Sequence, residues 1–144
     1  MRPIFAILAS LLIFSCAKKL ELINKDIKVF GHGGMGNGST LPMNSLESML
    51  ACYHTGAEGN ELDIQLTKDS VVIAMHSLEL SENTSLKGMV NSLTWAEIAK
   101  GYYTENPYLK YNIVSLEQVF QSMNASPDYY FTLDCKRYPS ETPN

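Results

Sequence analysis

The chain's pattern predicts an α/β architecture, a sheet or barrel of parallel strands joined by helical crossovers. Three observations carry that prediction. From residue 27 onward, segments with the two-residue period of a strand alternate with segments of helical period. Glycine-rich or polar turns separate them. Histidines and acids gather at or within the strands, and barrels of this class place their chemistry at strand C-terminal ends.

Taken in order, Ile27 to Phe30 is a short apolar strand interrupted by Lys28, and it runs into Gly31-His32-Gly33-Gly34-Met35-Gly36. So many glycines directly after a strand supply backbone freedom and room for a ligand. A helix follows, with Asn44 and Glu47 spaced as a capping box, Leu46, Met49, Leu50 and Tyr53 on one face, and Gly56 as its stop. Glu61 to Leu66 alternates acid or polar with apolar residues, so Glu61 and Asp63 share a face, their Cα atoms roughly 6.5 Å apart. Two carboxylates that close repel unless a cation or a proton neutralises them. A solvent-facing amphipathic strand shows the same pattern, so the pair gains meaning only from its neighbours. Lys68, Asp69 and Ser70 supply a turn, and Val71 to Met75 forms a second strand ending at His76. Residues 77–93 read as a polar excursion with little regular structure. Thr94 and Glu97 cap a short helix over Trp95 to Lys100, and Ser115 and Gln118 cap another over Leu116 to Met123. Tyr129 to Lys136 is the last strand, with Tyr130, Thr132, Asp134 and Lys136 on one face.

The 144 residues suffice for one modest domain, and the hydrophobic fraction of 45% is that of a globular protein. A net charge of −4 without a basic block argues against nucleic acid as a partner. Residues 1–15 stand apart: Arg2 precedes a nearly continuous apolar run from Ile4 to Phe14, too short for a stable membrane span but suited to export. Leu12-Ile13-Phe14-Ser15-Cys16 resembles a bacterial lipoprotein signal, which implies cleavage before Cys16 and its lipidation. Residues 16–26 then form a polar tether and 27–144 the folded domain. The expected location is the bacterial cell envelope, held to the membrane through Cys16. Cys52 and Cys135 are expected as buried small hydrophobes rather than a disulfide.

Several short motifs then occur in a fixed order: His32-Gly33-Gly34, Pro42-Met43-Asn44-Ser45, Gly56-Ala57-Glu58, Glu61-Leu62-Asp63-Ile64, Thr67-Lys68-Asp69, His76-Ser77 and Asp134-Cys135-Lys136. Together, from about Val29 to Lys136, they resemble the glycerophosphodiester phosphodiesterase family. The resemblance implies the N-terminal half of a (β/α)₈ barrel and hydrolysis of glycerophosphodiesters to sn-glycerol 3-phosphate and an alcohol. It implies that Glu61, Asp63 and Asp134 bind a divalent cation, Ca²⁺ or Mg²⁺, and that His32 and His76 act as general base and general acid. Lys136 would contact the phosphate, and Gly33 would stand at a substrate-binding position. All-oxygen ligation suits such hard cations, and an imidazole pair can hold opposite protonation states near neutral pH.

The chain departs from the family pattern at four positions. Gly33 replaces an arginine, Met43 a glutamate, Ser77 an aspartate and Asp134 a glutamate one methylene longer. Loss of a cation at 33 and an anion at 43 is a matched loss, and both histidines and all three acidic positions remain. Four strands are half of what a barrel of ~250 residues requires, so the reading frame is expected to continue past Asn144. Other readings differ in testable ways. Gly31, Gly33 and Gly36 fit a dinucleotide-binding fingerprint, but Asn37 to Pro42 separate the loop from the helix that would receive a pyrophosphate. A binding-only lipoprotein on the same scaffold, a truncated inactive product, or a phosphatidylinositol-type phospholipase are the remaining alternatives.

Overall fold

The computed structural model describes residues 27–36, 38–123 and 127–138. The export segment, Cys16 and the tether lie outside the described residues. Among those described, no helix is long and apolar enough to cross a membrane.

The elements in chain order are β1 (Phe30–His32), α1 (Leu46–His54), β2 (Gly59–Leu66), β3 (Val72–Ala74), α2 (Trp95–Ile98), β4 (Tyr102–Tyr103), β5 (Tyr111–Asn112), α3 (Leu116–Met123) and β6 (Tyr130–Cys135). β2 is the centre of the sheet. It pairs in parallel with β1, His32 opposite Glu61, and in parallel with β6, Asp63 opposite Asp134. Its C-terminal end turns back on itself, and β3 pairs with it antiparallel from Ile64 to Leu66. Because Gly59–Glu61 pair with both β1 and β6, and Ile64 with both β3 and β6, β1 and β3 share one edge of β2 while β6 takes the other. Of the four expected long strands, three are therefore parallel and one is the return arm of a hairpin. The β1-α1-β2 unit is the crossover that an α/β barrel repeats.

Two apolar clusters hold these elements. One lies under α1 and α3 and contains Met49, Leu62, Ala74, Val114, Val119 and Met123. The other gathers Ile73, Met75, Leu80, Val90, Ile98, Tyr103, Tyr111 and Ile113. Consecutive residues of β3, Ile73 and Ala74, point to opposite clusters, so this short strand is a wall between them.

Several expectations change in detail. β1 begins at Phe30, three residues later than the apolar run. The N-cap of α1 is Ser45, whose hydroxyl accepts from the Ser48 N–H at 3.2 Å, and not Asn44. Asn44 has a left-handed backbone (φ 63°) and turns its side chain inward. Residues 77–93 are more ordered than their polarity suggests: short 3₁₀ turns at Leu80–Glu82 and Val90–Ser92 bury Leu80 and Val90 in the second cluster. The β4–β5 hairpin has no counterpart in the sequence reading. Cys52 is buried as expected, but Cys135 is exposed, because β6 is an edge strand among the described residues. The capping pairs Thr94/Glu97 and Ser115/Gln118 both form, the latter reciprocally at 3.0 and 3.2 Å.

Candidate active site

The site follows from sheet register. Parallel pairing sets Asp63 beside Asp134 on neighbouring strands, and Glu61 two residues back on the same face of β2. One carboxylate oxygen from each of the three lies within 4.8 Å of the other two. Asp63 is 1% exposed, whereas Asp134 stands at the surface. Lys136 continues the ladder past β6, its N–H donating to the Ile64 carbonyl at 3.0 Å. Its ammonium reaches Asp63 Oδ1 and Asp134 Oδ2, each at 2.7 Å. The trio thus already gathers one positive charge.

Electrostatics follow from these contacts. Burial alone pushes the Asp63 carboxyl up, but hydrogen bonds from Lys136 and Asn44, with the charge of Lys136, outweigh it and hold the group below its ordinary value. Bonds to Asp134 and Asp63 raise Lys136 to about 12. Three carboxylates and no softer donor suit a hard dication, which takes oxygen ligands, so the residues present fit such an ion.

His32 ends β1, where its register partner is Glu61, and its Nδ1 lies 3.1 Å from Glu61 Oε2. The proton of a neutral ring therefore sits on Nδ1, leaving the Nε2 lone pair for an incoming group. The Gly33 N–H donates to the same Oε2 at 3.1 Å and to the Glu61 carbonyl at 3.0 Å. Gly33 has φ +57°, and a Cβ there would stand 2.8 Å from Met43 Cε. Met43 thus packs over the position where the resembled family has its arginine. His76 follows β3 and is exposed. The Met75 N–H on the Asp63 carbonyl (2.9 Å) and the Gln65 amide on the carbonyls of Met75, His76 and Ser77 (2.9, 3.3 and 2.9 Å) hold its backbone. His32 and His76 line one cavity of about 380 Å³, with Met43, Ser77, Glu82 and Glu105 among its other walls. Burial pushes the Glu105 carboxyl up, against a hydrogen bond from Asn83.

His32, Gly33, Glu61, Asp63, His76, Asp134 and Lys136 are thus brought near one another, and Cys16 lies outside the described residues. Three residues that serve the site were not expected in these roles: Asn44, Gln65 and Tyr138. The Tyr138 hydroxyl donates to Gln65 Oε1 at 2.8 Å and accepts from the Asn91 N–H at 3.0 Å. Asn44 belongs to the Pro42-Met43-Asn44-Ser45 motif, where its spacing to Glu47 suggests only a helix cap. Gln65 shared the face of Glu61 and Asp63, which was the one signal available for it.

Parallel β/α units that bring two histidines and three acids together beside the central strand are the arrangement of part of a (β/α) barrel. Comparison with known proteins makes this specific. The model of the glycerophosphoryl diester phosphodiesterase family matches residues 35–140, and the chain belongs to that family. It is 32% identical over 120 residues to a glycerophosphodiester phosphodiesterase of Bacillus altitudinis, covering 78% of this chain and 48% of the relative. A glycerophosphoryl diester phosphodiesterase structure from Parabacteroides distasonis superposes with a TM-score of 0.64 at 30% identity, over 80% of this chain and 40% of that one. An Oleispira antarctica phosphodiesterase solved with its product sn-glycerol-3-phosphate shares the fold (TM-score 0.64, 22% identity, 76% of this chain and 44% of that one). The chain spans about half the length of the relatives it matches.

Proposed function

We propose that the protein hydrolyses glycerophosphodiesters to sn-glycerol 3-phosphate and an alcohol. One observation carries the reading: sheet register sets His32 against Glu61 and Asp63 beside Asp134, while His32 and His76 line a single cavity. His32 accepts a proton of the attacking water at Nε2 as the new P–O bond forms, with Glu61 holding its Nδ1–H. His76, protonated, donates to the alcohol oxygen as the second P–O bond breaks. Glu61, Asp63 and Asp134 would hold a divalent cation, Ca²⁺ or Mg²⁺ by donor type, which would supply Lewis-acid polarisation of the phosphate. Lys136 offers the cationic contact to the phosphate, and Gly33 stands at the family's substrate-binding position with Met43 packed over it. The family membership and the product in the Oleispira structure support this substrate class.

Glycerol 3-phosphate release from glycerophosphodiesters tests the reading. His32→Ala or His76→Ala is expected to lower the rate by about 10²–10⁴-fold. Chelation should abolish the rate and Ca²⁺ or Mg²⁺ restore it. A His32→Ala rate equal to wild type would refute it. Export and lipid anchoring through Cys16 to a bacterial envelope belong to the same proposal and are supported by residues 4–16 alone. Globomycin should accumulate an uncleaved precursor, and failure to do so would remove the anchor from the reading.

A further inference from the structure

Asn44 is 1% exposed, yet it has a left-handed backbone, φ 63°, that only glycine and asparagine-like residues adopt readily. Its side chain spends both ends on one residue. Nδ2 donates to Asp63 Oδ2 at 2.7 Å, and Oδ1 accepts the Asp63 N–H at 3.1 Å. With Oδ2 occupied, the Asp63 carboxylate cannot rotate freely, and its Oδ1 faces Lys136. The Asn44 N–H meanwhile donates to the Gly33 carbonyl at 2.9 Å, and the Gly33 N–H donates to Glu61. One residue therefore links the loop after His32 to the buried member of the acidic trio. We propose that Asn44 is a positioning residue: its amide fixes the rotamer of Asp63, keeping Oδ2 on the amide and turning Oδ1 to the side where the Lys136 ammonium now holds it and where a bound cation would take that place.

This rests on the cation-binding reading above. Groups that orient a ligand without touching the ion typically contribute 10–100-fold in metal affinity, because the free ligand otherwise has to be ordered on binding. A purely structural asparagine would behave differently, and two substitutions separate the cases. Asn44→Gly removes the amide and keeps the left-handed backbone comfortable. Asn44→Ala removes the same amide and adds strain at φ 63°. If Asn44 positions Asp63, both variants bind Ca²⁺ about 10–100-fold more weakly, to the same degree, although Asn44→Ala unfolds at lower urea.

Calorimetric Ca²⁺ titration of the full chain, paired with urea unfolding, reads both quantities. Wild-type affinity in Asn44→Gly overturns the proposal, as does an affinity loss that tracks stability across the two variants. Should neither variant fold, the Asn44 side-chain amide resonances of the wild-type chain are followed during the titration. Persistence of a slowly exchanging, shifted Nδ2 pair supports the clamp, and release of the bond on binding overturns it. If the wild-type chain binds no divalent cation, the cation-binding reading itself fails and the proposal falls with it.

Discussion

Gly33 and Met43 show how two departures from the family pattern compensate one another. An arginine and a glutamate at these positions would bring opposite charges to the loop after His32. Here an apolar side chain lies over a residue without one, and a Cβ at 33 would meet Met43 Cε at 2.8 Å and Cβ at 3.1 Å. An alanine at 33 also bears the left-handed backbone, φ +57°, which costs an L-residue about 1–2 kcal/mol. Gly33→Ala should therefore lower the free energy of unfolding by about 2 kcal/mol. Only the part due to Met43 should be recovered by Met43→Ala in the same chain. A double-mutant cycle in urea should show a coupling of about 0.5–1 kcal/mol. Strict additivity would mean that the Met43 side chain swings aside freely and that the two positions are independent.

At the scale of elements, the β2–β3 turn and α2 are stitched by one carboxylate. Asp69 Oδ1 accepts the Thr67 hydroxyl at 2.6 Å and the Trp95 N–H at 2.8 Å. These two bonds, the Thr67 one foremost, hold the Asp69 carboxyl below its ordinary value. A group whose folded pKa is depressed contributes stability that is present above its unfolded pKa, about 3.9, and lost as pH falls through the folded one. Asp69→Asn should therefore melt below wild type near neutrality, and the gap should close under acid conditions below about pH 4. A gap unchanged from pH 7 to pH 3 would show that the carboxylate charge is irrelevant to the stitch. Such local chemistry is also what the sequence displays well. The alternation from Glu61 to Leu66, the stripe of α3, and the Thr94/Glu97 and Ser115/Gln118 caps need only residues a few positions apart. Asn44 escaped because its partner is Asp63, 19 residues on, and nothing local distinguishes a cap from a clamp. β4 and β5 escaped because two-residue strands carry no period to detect. Tyr138 reaches Gln65 across 73 residues, a contact that only the closed fold creates.

On the scale of the whole molecule, the two faces and two edges of the sheet are treated unequally. α1 and α3 cover one face, and β3 divides the apolar interior into the cluster under those helices and a second one reaching to the 77–113 region. β6 differs: among the described residues it pairs only with β2, and its outer edge carries unpaired backbone groups. Along and near that edge Tyr130 (45%), Leu133 (40%) and Phe120 (47%) are exposed, as is Cys135. An uncovered strand with apolar neighbours is a template for pairing with another chain. The 144-residue chain should therefore self-associate at micromolar concentrations, more strongly as salt weakens its net charge of −4. Leu133→Lys puts a charge on the edge where natural sheets use one to block pairing. It leaves Leu62, its buried register partner, in place. Sedimentation velocity should show the substitution shifting the chain towards monomer, while the near-ultraviolet spectrum of the buried Tyr103 and Tyr111 stays unchanged. Equal association in the two chains would place the contact elsewhere and remove the open edge as its cause.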